Sequence, residues 1–177
     1  MAILNSTGTL YWITGLSGAG KTTIGSALFA KLKAENPATV ILDGDVLKNI
    51  LGPGLGYERA ARLEKATRYA ALCHELVLQG IDVVICTISM FDCVRDWNRQ
   101  HNPRYIEIFL DVAMDILRQR DKNGLYSRTL VDGQVVGLDH EAEFPKNPDL
   151  VFANGGEQSA EAIAHEILNF ARSGQKE

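Results

Sequence analysis

Short runs of apolar residues alternate along the chain with longer stretches in which apolar and polar residues recur at helical spacing. The apolar runs are rich in β-branched and aromatic residues, a pattern typical of strands. Five such runs predict strands at residues 10–15, 38–45, 81–89, 105–112 and 149–154. Four amphipathic stretches predict helices at residues 21–35, 58–80, 113–121 and 159–173, the last with Ser159 as its N-terminal signal.

The predicted strands are apolar on both faces and are separated by helices. This arrangement indicates a mostly parallel sheet that is covered by helices on both sides. A length of 177 residues fits one domain, and we find no internal repeat or linker. We therefore predict a single α/β domain over residues 1–177, built on a five-stranded sheet.

Residues 122–148 form a long segment without regular periodicity. Irregular segments of this length inside a compact domain are commonly functional or disordered. This one combines glycines, an aromatic residue and mixed charges between two core elements. We therefore predict a lid over about residues 122–148.

Composition narrows the possible partners and the compartment. The net charge of −4 gives no basic field, so we expect neither nucleic acid nor membrane as a partner. No apolar stretch approaches the roughly 18 residues of a membrane span, and the N-terminal residues carry no export signal. We expect a cytoplasmic protein. Cys73, Cys86 and Cys93 form no C-x-x-C pair, and we expect buried structural thiols.

The first predicted strand runs directly into the sequence GLSGAGKTT, which fits the phosphate-loop pattern G-x-x-x-x-G-K-[ST]. Glycines allow consecutive backbone N–H groups to face a polyphosphate, and the following helix adds its positive end. Lys21 can reach the β- and γ-phosphates, and the Thr22 hydroxyl can ligate Mg²⁺. The predicted ATP-binding residues are Gly15, Leu16, Ser17, Gly18, Ala19, Gly20, Lys21, Thr22 and Thr23.

The second predicted strand ends in two carboxylates, Asp43 and Asp45. Two residues apart, they would lie on the same side of a strand, at the edge where α/β folds place their ligands. They could hold metal-bound water or accept a proton from a substrate hydroxyl. The alternative is a helix-capping turn. A GTPase is disfavoured, because the chain has no N-K-x-D segment to bind the base.

The motifs GLSGAGKTT, LDGD, LGY followed by Arg, TIS, RDKNGLY and GLD occur in this order over nearly the whole chain. Together they resemble the adenylylsulfate (APS) kinase family. The resemblance implies a P-loop kinase fold with a lid, and transfer of the γ-phosphate of ATP, with Mg²⁺, to the 3′-hydroxyl of adenosine 5′-phosphosulfate. It also implies a possible homodimer.

The resemblance assigns roles residue by residue. Lys21 and Asp45 would be catalytic, Thr22 and Asp45 would ligate the metal, and Arg120 would contact ATP. Tyr57 would stack on the acceptor base, and Arg62 would clamp the acceptor's anionic end. The residues expected to bind the acceptor nucleotide are Asp43, Asp45, Lys48, Tyr57, Arg62, Lys65, Ile88, Ser89, Met90, Phe91, Asp92 and Val136.

The departures from the family pattern fall almost entirely on the acceptor side. Lys65 replaces an Asn, and the stretch ISMFD places Met90, Phe91 and Asp92 where the family has Pro, Tyr and Arg. The lid sequence QVVGLD lacks a second base-stacking Phe. By contrast, the ATP-binding motifs are intact.

Two acceptors follow from this pattern. Adenosine 5′-phosphosulfate is the family default and is placed first. Cytidine diphosphoramidate, the acceptor of similar kinases in capsule pathways, is the alternative, because an Asp could accept a hydrogen bond from its amino groups. A non-catalytic nucleotide-binding module is disfavoured by the intact Lys21, Thr22 and Asp45.

Overall fold

A five-stranded parallel sheet forms the centre of the computed structural model, which describes residues 7–51, 56, 58–120, 124, 126 and 142–174. The strand order is β2-β3-β1-β4-β5, and every paired neighbour is parallel. The strands are β1 (Leu10–Gly15), β2 (Thr39–Asp43), β3 (Asp82–Thr87), β4 (Tyr105–Leu110) and β5 (Leu150–Phe152).

Helices cover both faces of this sheet. They are α1 (Lys21–Glu35), α2 (Gly44–Leu51), α3 (Arg59–Leu78), α4 (Asp92–His101), α5 (Met114–Arg120) and α6 (Ala160–Ser173). The core is correspondingly divided in two. Tyr11 and Ile13 of β1 face the α1, α5 and α6 side, whereas Leu10 and Trp12 face the α2, α3 and α4 side. This alternation is what a strand buried on both faces requires.

The predicted P-loop kinase architecture is confirmed, and β1 and α1 have the predicted bounds. Ser159 caps α6, since its hydroxyl oxygen accepts a hydrogen bond from the Ala162 N–H at 3.2 Å. No helix among the described residues is both long and apolar enough to cross a membrane.

Two helices were not predicted. α2 begins at Gly44, so the strand predicted to continue to Asp45 ends at Asp43 instead. α4 was missed because its buried face is largely polar: it buries Arg95 and Asn98 beside Val94, and the apolar periodicity that predicts a helix is therefore weak.

Close packing of α1 on the sheet fixes the start of that helix. A Cβ on Gly25 would lie 2.2 Å from the Cys86 Sγ of β3, so the residue must be glycine for the helix to approach this closely. The same Cys86 Sγ donates a hydrogen bond to the Lys21 carbonyl at 3.2 Å. The first turn of α1 therefore lies directly over the carboxyl end of β3.

Most of the predicted lid lies outside the described residues. Within it the structure describes residues 124, 126 and 142–148. The predicted acceptor residues Tyr57 and Val136 also lie outside the described part of the chain.

Candidate active site

A cavity of about 550 Å³ opens at the carboxyl ends of the strands, where parallel α/β sheets place their ligands. This volume is within the usual range for small-molecule sites. The predicted residues that line it are Ser17, Gly18, Gly20, Lys21, Thr22, Thr23, Asp43, Asp45, Lys48, Arg62, Lys65, Ile88, Ser89, Met90, Phe91 and Arg120. The structure thus brings together most of the residues that the sequence singled out.

The phosphate loop lies between β1 and α1, as predicted. Gly20, the residue before the helix, adopts the left-handed conformation with φ 95°, which disfavours a side chain there. Lys21 begins α1 and lines the cavity with Thr22 and Thr23. Three predicted loop residues, Gly15, Leu16 and Ala19, are not among those that line the cavity, and Leu16 and Ala19 are buried.

Asp43 connects the phosphate loop to α2. Its Oδ2 accepts a hydrogen bond from the Thr22 hydroxyl at 2.7 Å, and its Oδ1 accepts one from the Asp45 N–H at 2.8 Å. The second bond is a helix N-cap, so the capping alternative considered for this residue is confirmed. Asp43 therefore has two contacts, one structural and one within the site.

Asp45 lies in the first turn of α2 and not on a strand. The prediction that Asp43 and Asp45 lie on the same side of a strand is therefore wrong, although both carboxylates line the cavity. The Asp45 side chain is 68% exposed, and its Oδ1 lies 3.8 Å from the Lys48 Nζ. At this exposure the ion pair contributes little to stability, and the carboxylate stays accessible to a ligand.

The donor set around Asp43 suits a hard cation. Thr22, Asp43 and Asp45 offer hydroxyl and carboxylate oxygens, the ligands that Mg²⁺ prefers. The described residues contain no group of three or more His, Cys, Asp or Glu side chains able to hold an ion by themselves. Mg²⁺ usually takes one or two carboxylates and completes its shell with water and phosphate oxygens.

Basic side chains of α2 and α3 form part of the cavity lining, and we call them the basic wall. Arg62 and Lys65 lie on α3 and Lys48 on α2, and all three line the cavity. Burial, and then the charges of Lys48 and Arg62, lower the pKa of Lys65. Burial and the neighbouring Arg59 lower the pKa of Arg62. A bound anion would favour the charged forms of both side chains, so this wall is suited to an acidic ligand.

Phe91 packs against two arginine side chains of α3. The Cζ of Arg59 lies 5.4 Å and that of Arg62 lies 5.8 Å from the centre of its ring, within cation–π range. Phe91 and Met90 are both buried, and both line the cavity. The cation–π contact with the Phe91 ring therefore helps to position the Arg62 guanidinium in the cavity.

Asp92 is the predicted acceptor residue whose position differs most from expectation. It is not among the residues that line the cavity. Its carboxylate accepts hydrogen bonds from Arg95 and, at 2.7 Å, from Lys146, and its N–H donates to the Glu143 carboxylate at 2.7 Å. The hydrogen bond from Lys146 holds the pKa of this carboxyl below its usual range.

Asp92 belongs to a network of charged side chains that do not line the cavity. We call this set the ion network: Asp92, Arg95, Arg99, Glu107, Glu143, Lys146 and Asp149. Its centre is Glu107 of β4, which lies 3.3 Å from Arg95 and 3.1 Å from Arg99. Sequence analysis missed it, although Asp92, Arg95 and Arg99 recur at the three- and four-residue steps of one helix face.

Five further residues line the cavity without having been predicted: Gly44, Ala66, Tyr69, Cys86 and Thr87. Tyr69 continues the α3 stripe of Arg62 and Lys65 at helical spacing, which is a signal that sequence analysis could have used. Burial and the nearby Asp45 raise the pKa of Tyr69 to about 12. Thr87 and Cys86, at the end of β3, gave no such signal.

The buried thiols of Cys73 and Cys86 are poor nucleophiles at neutral pH, because burial disfavours the thiolate. Burial raises the pKa of Cys86 to about 12, and it also raises the pKa of Cys73. The expectation of buried structural thiols is confirmed for these two residues. It is wrong for Cys93, which is exposed.

The fold and the site together define a P-loop kinase: a phosphate loop at the N-terminus of α1, two carboxylates at the end of β2 and the start of α2, and basic side chains of α2 and α3 in the same cavity. The model of the family described as adenylylsulphate kinase matches residues 7–153. The chain therefore belongs to the adenylylsulfate kinase family.

Individual relatives and solved structures agree with this assignment. The cytidine diphosphoramidate kinase of Campylobacter jejuni is 42% identical over 90% of this chain and 94% of its own length. An adenylyl-sulfate kinase of a Picosynechococcus strain is 36% identical over 88% of this chain and 89% of its own length. The Mycobacterium tuberculosis APS kinase CysC, solved with AMPPNP and APS, is 29% identical with a TM-score of 0.84, over 94% of this chain and 99% of that one.

Proposed function

We propose that this kinase transfers the γ-phosphate of ATP to the ribose 3′-hydroxyl of a small nucleotide with a 5′-phosphoanhydride, and that cytidine diphosphoramidate is its principal acceptor. The observation that carries the acceptor is the 42% identity to the Campylobacter cytidine diphosphoramidate kinase over almost the full length of both chains. The adenylyl-sulfate kinase of Picosynechococcus is 36% identical. Relative to the sequence-based expectation, the order of the two acceptors is reversed.

The donor side of the proposal rests on the phosphate loop. Lys21, at the N-terminus of α1, holds the β- and γ-phosphates with the backbone N–H groups of the loop. Thr22 and Asp43, with Asp45, would hold Mg²⁺, which neutralises charge on the phosphates when bound. Asp45, exposed in the cavity, accepts the proton of the attacking hydroxyl.

The acceptor side rests on the basic wall. Lys48, Arg62 and Lys65 hold the anionic 5′-phosphoanhydride, and Phe91 positions Arg62 through a cation–π contact. Both candidate acceptors carry such an anhydride, so the wall alone does not distinguish them. The distinction must come from the terminal group and the base.

Asp92 contributes to that distinction indirectly. The family pattern places an arginine at this position, and this chain has a carboxylate neutralised by Arg95 and Lys146. The acceptor edge therefore lacks one positive charge that would favour a phosphosulfate. In this proposal Asp92 makes no direct hydrogen bond to the acceptor.

The test is the kcat/KM for each acceptor at saturating ATP, measured by ADP release for wild type, Asp92→Arg and Asp45→Asn. We expect wild type to prefer cytidine diphosphoramidate, Asp92→Arg to gain on adenosine 5′-phosphosulfate, and Asp45→Asn to lose activity with both. Phosphorus NMR of the product, through coupling to the ribose H3′, identifies the modified hydroxyl. A strong wild-type preference for adenosine 5′-phosphosulfate would make the protein an ordinary member of its family. ADP release with neither acceptor would support the non-catalytic alternative.

The homodimer and the cytoplasmic location stay predictions from sequence. Light scattering of the purified protein tests the first, and fractionation of the source cells tests the second.

A further inference from the structure

Four consecutive carbonyl groups of the phosphate loop each accept a hydrogen bond from a side chain. Lys21 belongs to the loop motif itself, and the other three donors lie more than 100 residues away along the chain. The bonds are Lys21 Nζ to Leu16 O at 2.8 Å, Tyr126 Oη to Ser17 O at 2.7 Å, Arg120 Nη1 to Gly18 O at 3.2 Å and Asn154 Nδ2 to Ala19 O at 2.9 Å.

A carbonyl held in this way also fixes an N–H group. The peptide unit is planar and trans, so its C=O and its N–H point in opposite directions. Tyr126 holds the peptide whose N–H belongs to Gly18, and Asn154 holds the peptide whose N–H belongs to Gly20. Both glycines line the cavity, so we expect these N–H groups to face the position of the phosphates.

Asn154 is fitted closely to the loop. A Cβ on Gly20 would lie 2.6 Å from the Asn154 Nδ2. The Asn154 backbone oxygen also accepts a hydrogen bond from Arg120 Nη2 at 2.7 Å. Asn154 and Arg120 therefore hold adjacent carbonyls of the loop while they hold each other.

We propose that Tyr126 and Asn154 are positioning residues for the triphosphate: they keep the loop carbonyls turned away so that the backbone N–H groups meet the phosphates. The inference rests on the proposed function only in taking ATP as the ligand of this loop.

The test measures nucleotide affinity in the absence of acceptor. Titration calorimetry with AMPPNP and with AMP, which lacks the β- and γ-phosphates, is carried out on wild type, Tyr126→Phe, Asn154→Ala and the double variant. Tyr126→Phe keeps the ring that packs on the core and removes only the hydroxyl. Matched controls are Tyr11→Phe, in the first half of β1, and Asn147→Ala, at an exposed position.

Each single variant should weaken AMPPNP binding by about 3- to 10-fold, the usual worth of one hydrogen bond, and leave AMP affinity unchanged. The double variant should weaken it further, and the controls should match wild type. Unchanged AMPPNP affinity, or an equal loss for AMP and AMPPNP, would overturn the inference. The unfolding temperatures of the variants show whether they are folded.

The result is distinguishable from a failure of the proposed function. A wild type that binds AMPPNP but phosphorylates neither acceptor would overturn the proposed function, and the affinity ratios would still decide the role of Tyr126 and Asn154. Phosphorylation of an acceptor by wild type together with unaltered AMPPNP affinity in the variants would overturn this inference alone.

Discussion

The two halves of the cavity are built in different ways. The donor half consists of residues 15–23, which follow one another along the chain and whose carbonyl groups accept hydrogen bonds from Arg120, Tyr126 and Asn154. The acceptor half consists of side chains from α2, α3 and the loop after β3, namely Lys48, Arg62, Lys65, Tyr69 and Phe91. In the donor half the backbone provides most of the ligand groups, whereas in the acceptor half side chains provide them.

The two halves therefore differ in the amino-acid substitutions that they tolerate. A phosphate loop depends on backbone geometry, so its sequence is restricted to a short pattern that one strand and one helix can position. The acceptor half depends on which side chains α2 and α3 present, and these can change without altering the fold. Behind it lies the ion network, which fixes the N-terminus of α4 next to Phe91.

The largest expected effect lies in the donor half. Lys21→Ala should lower kcat by about 10³-fold or more, because the charge that develops on the transferred phosphoryl group loses its partner. Thermal unfolding of the same sample should show an intact fold. Lys31→Ala, farther along the same helix, is the matched control and should be active. Near-normal turnover by Lys21→Ala would refute the assignment of the phosphate loop.

Glu107→Gln tests whether the ion network supports the acceptor half. Glu107 is 4% exposed and pairs with Arg95, which is also buried, so the substitution leaves the Arg95 guanidinium with Asp92 as its remaining ion-pair partner. We expect a loss of about 3–5 kcal/mol in the free energy of unfolding, measured by urea denaturation. The exposed Glu75→Gln on α3 is the control. In the folded variant, the KM for the acceptor should rise more than the KM for ATP. An equal rise in both KM values would contradict a role of the ion network in the acceptor half.

Arg62→Ala should affect the acceptor half alone. Loss of a cation that faces an anionic ligand is expected to lower kcat/KM for the acceptor by about 10²-fold, while the Kd for ATP stays within about twofold. Steady-state kinetics and calorimetry measure the two quantities. Arg68→Ala provides the control, because Arg68 lies on the same helix and is bonded to the Leu51 carbonyl and Glu64 instead of lining the cavity. A comparable loss in both variants would mean that Arg62 acts through helix α3 and not through the acceptor.

The smallest expected effect concerns Asp92. Its pKa in the folded protein is lowered, chiefly by the hydrogen bond from Lys146, so the ionised form stabilises the folded state above about pH 4. That contribution is lost as the pH falls through the lowered folded pKa. Asp92→Asn should therefore reduce the free energy of unfolding by about 1 kcal/mol at pH 7 and by less near pH 3. Asp111→Asn, at an exposed position, is the control. A deficit that grows toward acid pH would contradict this placement of Asp92.

The donor half was predictable from sequence because its geometry is local. The run from Leu10 to Glu35 contains a strand, a glycine-rich turn and an amphipathic helix, and β1 and α1 have the predicted bounds. The alternation of apolar runs and helices also predicted the parallel sheet, since strands buried on both faces must be apolar throughout. Arg62 and Lys65 on α3 were named from the resemblance to the family, and the structure places both in the cavity.

Other features depended on contacts between distant parts of the chain. Asn154 reaches the Ala19 carbonyl across a separation of 135 residues, and Tyr126 reaches the Ser17 carbonyl across 109. The side chain of Asp92 turns away from the cavity because Arg95, Lys146 and the buried Glu107 form a network there. α4 is a helix although its buried face is polar, because partners on β4 compensate the buried charge of Arg95. The sequence by itself determined the strands, most of the helices and the phosphate loop, which depend on neighbours a few residues away. Only the tertiary structure decided which polar groups face the cavity and which face one another, because the free energy of a buried polar group depends on partners that the linear sequence does not place beside it.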